Sequence, residues 1–286
     1  MTSADELSRL FDSVVGTVAL RVSDAGLMRS FYEQGIGLSG SGDEGAVSEL
    51  RGAPEHPLIR LDSSATVRPG PPRARHTGLF HIAFRYPDRA SLGAAVARTA
   101  PLAGAFQGAS DHGVSEAVYF ADPEGNGIEL YRDRSFDEWP EAEEGRVGMF
   151  TQPLDLAALV SEAARDETPD IGHIHLMTAD VERTLGFWRD AAGLDERQRF
   201  GSQAVFLAEG LYHHHLGANT WHSAGAGPAP SESPGLDSFE LRLRDRAAVD
   251  AAAEGLERAG VALSRTGESA TFRDPDSNRV VLSART

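Results

Sequence analysis

The chain repeats itself four times, and this repetition constrains its fold more than any single motif does. Thr17-Val-Ala-Leu-Arg-Val-Ser-Asp24 and His173-Ile-His-Leu-Met-Thr-Ala-Asp180 are both extended-looking segments that reach an Asp seven positions after their first residue. His81-Ile-Ala-Phe-Arg-Tyr-Pro-Asp88 and Ser238-Phe-Glu-Leu-Arg-Leu-Arg-Asp245 obey the same rule. Corresponding segments of the two halves lie 156 or 157 residues apart. After each Asp comes a helical stretch that its carboxylate is placed to cap. Phe31-Tyr32 and Phe187-Trp188 fall two turns into the first and third helices, on the inward face. Modules two and four close through Asp122-Pro-Glu-Gly-Asn126 and Asp274-Pro-Asp-Ser-Asn278, which is strong turn chemistry. Val118–Phe120 and Ile128–Tyr131 beside the first of these turns read as strands.

The pattern predicts an α+β fold of four strand–helix–strands modules starting near residues 15, 79, 171 and 236. It divides the chain into a tail (1–14), a first pair of modules (15–135), a linker (136–168) and a second pair (169–286). The linker opens acidic, with Asp137, Glu138, Glu141, Glu143 and Glu144, and then carries a short amphipathic helix from about Leu154 to Arg165. Residues 223–234, rich in Gly, Pro and Ser, read as a loop.

Composition removes several classes of function. With no cysteine, thiolate metal sites, Fe–S clusters and thiol nucleophiles are excluded. All 27 basic residues are arginine, against 43 acidic ones, and the net charge of −16 would repel a phosphate backbone, so no nucleic-acid partner is expected. The lysine-free, acidic composition fits a halophilic host, where counterions screen the self-repulsion, and equally a GC-rich genome whose codons favour Arg and Ala over Lys. No apolar run is long enough to span a bilayer and the N-terminus lacks a basic region ahead of an apolar one, so a cytoplasmic protein without membrane contact is expected. A homo-oligomer is compatible with all of this.

The first position of each opening strand is Thr17, His81, His173 and Ser238 in turn, and the last strands of modules two and four offer Glu129 and Val281 at matching positions. His81, Glu129 and His173 therefore form a candidate metal site, and the other two modules offer no comparable set. Two imidazoles and a carboxylate with open positions opposite are the ligand set of non-haem Fe(II) oxygenases. His175, two residues along the same strand, shares a face with His173, and spacing alone does not separate them. The assignment requires module two to pair with module three, across the linker.

Gly172-His-Ile-His-Leu176, Tyr212-His-His-His-Leu216 and the segment from His112 to Glu129 resemble the vicinal oxygen chelate superfamily. Within it they are most similar to the ring-cleaving extradiol dioxygenases, the catechol 2,3-dioxygenases in particular. The resemblance covers nearly the whole chain. It implies βαβββ modules paired into two cupped open sheets, Fe(II) as cofactor with Mn(II) as the alternative, and a small catechol-type aromatic and O2 as substrates. It also implies that Tyr119 donates a hydrogen bond to a substrate oxygen and that His112 lies near the substrate. Read as the last strand of module three, the Tyr212–Leu216 segment must alternate its side chains between faces. The resemblance puts His214 inside the cup as acid/base, with His213 and His215 facing away and tolerant of substitution. A glyoxalase-like isomerase or lyase would need a fourth ligand where this reading has His214, and a metal-free drug-binding module would need no ligand set.

Overall fold

The computed structural model of the chain describes residues 14–53, 56–64, 67, 75–140 and 146–285. Nearly all of the expected N-terminal tail, and Glu141, Glu143 and Glu144 of the linker, lie outside the described residues. Module one comprises β1 (Val15–Arg21), α1 (Ala25–Ser30), β2 (Ser39–Glu44), β3 (Val47–Arg51) and β4 (Pro57–Asp62). Module two comprises β5 (Gly78–Arg85), α2 (Arg89–Thr99), β6 (Ala105–Asp111), β7 (Ser115–Ala121) and β8 (Gly127–Asp133). The linker contributes β9 (Gln152–Pro153) and α3 (Leu156–Ser161). Module three runs through β10 (Asp170–Met177), α4 (Val181–Ala192), β11 (Asp195–Phe200), β12 (Ala204–Ala208) and β13 (Leu216–Asn219). Module four runs through β14 (Gly235–Leu243), α5 (Arg246–Arg258), β15 (Leu263–Thr266), β16 (Ser269–Arg273) and β17 (Arg279–Ala284).

In every module the opening strand pairs in parallel with the closing one, β1 with β4, β5 with β8, β10 with β13 and β14 with β17. Parallel neighbours need a crossover, and the helix supplies it. The capping expectation holds four times: Asp24, Asp88, Asp180 and Asp245 each accept a backbone N–H from the helix's first turn, those of Leu27, Ser91, Arg183 and Ala248. Past Ser30 the first helix widens into a π-turn over Phe31–Ile36, which buries both Phe31 and Tyr32. Gly37 and Gly193 end the helical segments of modules one and three in the left-handed conformation. The linker helix is shorter than expected. After Glu162 the chain turns aside, and the Ala164 N–H donates to Ala90 C=O on α2 rather than continuing the helical ladder.

The opening strands join the modules crosswise. β1 pairs antiparallel with β14 and β5 with β10. Modules one and four form a sheet ordered β15-β16-β17-β14-β1-β4-β3-β2, and modules two and three form one ordered β11-β12-β13-β10-β5-β8-β7-β6-β9. One face of each sheet packs on the helices. In the second sheet it buries Ile82, Phe84, Ile128, Leu130, Ile174 and Leu176, each worth roughly 1.5–3 kcal/mol of transfer free energy. Side chains within each half then clamp the two sheets together. Glu124, on the turn of module two, accepts the Ser23 and Asp24 N–H groups of module one at 2.8 Å. Asp276, on the turn of module four, accepts the Ala179 N–H of module three at 3.1 Å and Arg183 Nη2 at 2.6 Å. Among the described residues no helix is long and apolar enough to cross a membrane.

Candidate functional site

On the concave face of the second sheet, strand alternation projects His81 from β5, Tyr119 from β7, and Glu129, Tyr131 and Asp133 from β8. On β10 the alternation is reset by a bulge at Gly172: Ile171 pairs with Phe84, whereas His173 pairs with Ala83. The bulge lets Ile171 stay in the core while His173 and His175 both face the cup. Only glycine fits there, because a Cβ on Gly172 would meet Tyr131 Oη at 1.7 Å.

His81 Nε2, His173 Nε2 and Glu129 Oε2 converge. The carboxylate oxygen is 2.9 Å from His81 and 3.1 Å from His173, and the two nitrogens are 3.4 Å apart. All three side chains are buried. They are the one group of three or more potential ligands that converges among the described residues. Burial pushes the His173 imidazole down to about 4 against the pull of Glu129. Burial also raises the Glu129 carboxyl, but His173 and His81 outweigh it and hold the group well below the ordinary range. At neutral pH an uncharged His173 imidazole, the His81 ring nitrogen and the Glu129 carboxylate thus face one point. Neutral imidazoles can donate Nε2–H to the carboxylate, and a divalent cation in place of those protons would be held by all three atoms. Ligands about 2.0–2.2 Å from a shared metal lie roughly 3 Å apart, as these atoms do. The donor set therefore fits a first-row dication.

His175 lies opposite His81, its ring centroid 4.9 Å away, but it is engaged elsewhere. The Asn219 side-chain amide donates to its Nε2 at 3.0 Å, and Asn219 Oδ1 in turn accepts the Trp221 N–H. Strand register explains the difference between the two modules. Ala83 pairs with Glu129, and the equivalent residue of β10, His175, pairs with Gly217. The counterpart of Glu129 in module three is therefore Gly217, not His214 as the sequence comparison had it. A Cβ on Gly217 would meet the His175 ring at 2.8 Å. The other sheet is closed at the matching place. There Glu240 pairs with Val281, and its carboxylate accepts the Thr17 N–H at 3.1 Å and the Ser283 hydroxyl at 2.5 Å.

The triple histidine does not lie on a strand. Tyr212–His215 form the turn that precedes β13, so alternation does not govern them. All three histidines are buried, and of them His214 lines the cup while His213 and His215 do not, so burial bears only against the expectation that those two tolerate change. His214 lines the cup, its ring centroid 4.0 Å from that of His173 and 4.9 Å from that of Phe206. Burial, then the neighbouring imidazoles, hold it well below the usual histidine range, so it is neutral at pH 7. Behind it runs a relay that sequence reading missed. His213 Nε2–H donates to Asp133 Oδ1 at 2.8 Å, which leaves His213 Nδ1 to accept from His214 Nδ1–H, also at 2.8 Å. Asp133 Oδ2 accepts the Tyr212 hydroxyl at 2.8 Å, and Tyr212 meets Tyr131 at 2.7 Å. Only the spacing of Asp133, four residues beyond Glu129 on one strand face, could have pointed to it.

His112 is fixed from the other side. Its Nδ1–H donates to Phe150 C=O in the linker at 2.8 Å, so Nε2 accepts the Tyr119 hydroxyl at 2.8 Å. The Tyr119 hydroxyl thus stands between His112 Nε2 and the Glu129 carboxylate, on the lining of the cup. Burial and the Glu129 carboxylate raise the phenol well above its ordinary range. His81, His112, Tyr119, Glu129, His173 and His214 all line one cavity of about 690 Å³.

A family model described as the Glyoxalase/Bleomycin resistance protein/Dioxygenase superfamily matches residues 14–130 and 170–282. The chain is 33% identical over 288 residues to catechol-2,3-dioxygenase of Bacillus subtilis (strain 168), covering 98% of this chain and 99% of that protein. A solved structure of a Bacillus subtilis protein superposes with a TM-score of 0.62 at 13% identity, over 94% of this chain and 84% of that one. Glyoxalase I from Zea mays superposes with a TM-score of 0.58 at 14% identity, over 94% and 92%. At such identities the two structures speak for the fold alone, and the family model and the full-length relative carry the assignment. The chain belongs to the glyoxalase, bleomycin resistance protein and dioxygenase superfamily.

Proposed function

We propose that the protein is an Fe(II)-dependent extradiol dioxygenase that opens the ring of catechol-type aromatics with O2. The observation that carries this reading is a ligand set limited to His81, Glu129 and His173, with Gly217 where a second carboxylate would stand. Three protein ligands leave room for a chelating diol and O2, whereas a glyoxalase-like isomerase would need the fourth ligand. The full-length similarity to a catechol-2,3-dioxygenase supports the same conclusion.

His81, His173 and Glu129 would hold the metal, which when bound supplies Lewis acidity and an electron path between the diol and O2. The chain's own residues handle the protons. A catechol hydroxyl proton can pass to Tyr119 Oη as the Tyr119 proton moves to His112 Nε2, and the Phe150 carbonyl steadies the imidazolium that results. His214 is the acid/base on the opposite wall, oriented by His213 and Asp133. Phe80 and Phe206 keep that wall apolar and limit water.

The test is anaerobic reconstitution with Fe(II), in parallel with Mn(II), followed by catechol and oxygen. Equimolar oxygen uptake with a yellow ring-opened product is expected. Fully loaded protein that consumes no oxygen with any catechol would remove this reading.

A further inference from the structure

The cavity has two unlike ends. The metal-ligating end carries the carboxylate and most of the imidazoles that line the cavity, and the remaining wall is built from Phe80, Phe206, Phe200, Trp221 and Met149, with His175 packed among the rings and a few neutral polar groups. The aromatic rings interlock edge to face, Phe80 on Trp221 at 5.4 Å and Phe200 on Phe206 at 5.5 Å. Phe200 and Trp221 are 38% and 42% exposed, so the apolar wall continues to solvent rather than ending in the core. Apolar side chains that continue from a cavity wall to its mouth offer a surface that an apolar ligand can cover.

Charge is as informative as shape. Among the described residues no arginine lines the cavity, and the chain contains no lysine. Arg85, on the cup face of β5, is bound to Asp170 through two contacts and lies near Asp133. With a dication held by Glu129 and two imidazoles the ligand cluster would carry about +1, which the diol oxygens take up, and the molecule as a whole carries −16. A carboxylated catechol would bury its anion without a counter-ion and approach against the field of the whole molecule. A single benzenediol, at roughly a hundred cubic ångströms, would fill only a small part of the space, within the range of about 300–1,000 Å³ typical of ligand pockets.

Resting on the dioxygenase reading, we infer that the substrate is an uncharged catechol bearing a bulky apolar substituent that lies against Phe206, Phe200 and Trp221, and that acidic catechols are rejected. The experiment compares kcat/KM of the Fe(II)-loaded full chain for 3-phenylcatechol and 4-tert-butylcatechol with that for 3,4-dihydroxybenzoate and 3,4-dihydroxyphenylacetate. The apolar compounds should be favoured by about a hundredfold or more. Trp221→Ala should lower kcat/KM for the better apolar substrate about tenfold while moving catechol itself far less. Phe200→Arg should raise turnover of the carboxylated pair. Equal or better turnover of the acidic catechols by the unaltered protein overturns the inference and leaves the dioxygenase reading standing. If no catechol is cleaved, that reading fails, and calorimetric binding of the same four compounds to the metal-loaded protein decides the inference: apolar preference sustains it, and acidic or no preference overturns it.

Discussion

Asp133→Asn separates the relay behind His214 from the ligand cluster in front of it. The carboxylate is buried and accepts from His213 Nε2 and Tyr212 Oη, each at 2.8 Å, with Arg85 Nη1 at 3.5 Å. Burial raises its pKa, but the bond from His213, the charge of Arg85 and the Tyr212 hydroxyl outweigh it and leave the group below the ordinary range. Asparagine keeps the shape and can still accept from His213, while the Tyr212 hydroxyl turns to donate to Tyr131, 2.7 Å away. What is lost is the charge on the acceptor. A charge-assisted hydrogen bond contributes about 1.5–3 kcal/mol and a neutral one about 0.5–1.5, so the change costs about 1–1.5 kcal/mol. If that difference is felt at His214 in the rate-limiting proton transfer, turnover falls about tenfold. His213→Phe, which removes the partner altogether, should cost more, on the order of a hundredfold. Oxygen uptake under saturating and limiting catechol, with iron measured on the same samples, gives the answer. The loss should sit in kcat, with KM and iron content near those of the parent. Undiminished kcat in Asp133→Asn would refute the relay. Iron lost in step with activity would mean that Asp133 acts through Tyr131 and His173 on the metal cluster instead.

His214→Phe should keep its iron and lose turnover by on the order of 10²–10⁴, whereas Glu129→Ala should lose the metal itself; metal analysis beside activity distinguishes them, and an iron-free His214→Phe would make His214 a ligand. Gly172→Ala drives a methyl group into the hydroxyl of Tyr131, whose ring centroid lies 5.0 Å from that of His173, and should destabilise the chain by about 2–4 kcal/mol in urea titrations and weaken metal binding. Burial pushes Asp122 up to about 6 against the bonds from Asn126 and Tyr32, so its contribution to stability is complete below its unfolded value near 3.8 and is lost as pH rises through 6. Relative to Asp122→Asn, the parent should therefore gain about 1.4 kcal/mol between pH 8 and pH 5, and a stability gap independent of pH would contradict this.

The parts of the molecule that could be read in advance are those the repeat enforces. Four Asp residues at one offset became four helix caps, and His81 and His173, equivalent by the same offset, became diagonal neighbours across the β5–β10 pair. Diagonal neighbours on one face lie within side-chain reach, which is why two imidazoles and Glu129 converge only if modules two and three share a sheet. The parts that could not be read are those where the repeat is broken. The bulge at Gly172, the π-turn after Ser30 and the turn holding His213–His215 each interrupt a regular period, and periodicity is silent at an interruption. The tautomers of His112 and His213 depend on a carbonyl and a carboxylate 38 and 80 residues away, contacts that only the folded chain creates.

The breaks in symmetry are also where chemistry enters. A perfectly repeated chain would place equal residues at Ala83 and His175, and at Glu129 and Gly217, giving a symmetric cluster of donors. Instead, module two keeps a small residue beneath its carboxylate, and module three keeps a glycine beneath a histidine that Asn219 holds back. One side of the seam is thereby made into a three-ligand site and the other into a neutral wall that leads to Phe206 and Trp221. Restoring the symmetry is a demanding check on this reasoning. Replacing Gly217 by Glu together with His175 by Ala removes the ring that a Cβ at Gly217 would meet at 2.8 Å and sets a second carboxylate opposite the first. Such a chain should bind a dication more tightly and lose ring-cleaving turnover, because the added ligand takes a position the diol or O2 requires. Isothermal titration with Mn(II) and oxygen uptake with Fe(II) would report the two effects separately, and full retention of activity in a tighter-binding variant would mean that the empty side of the site is not where the diol or O2 is received.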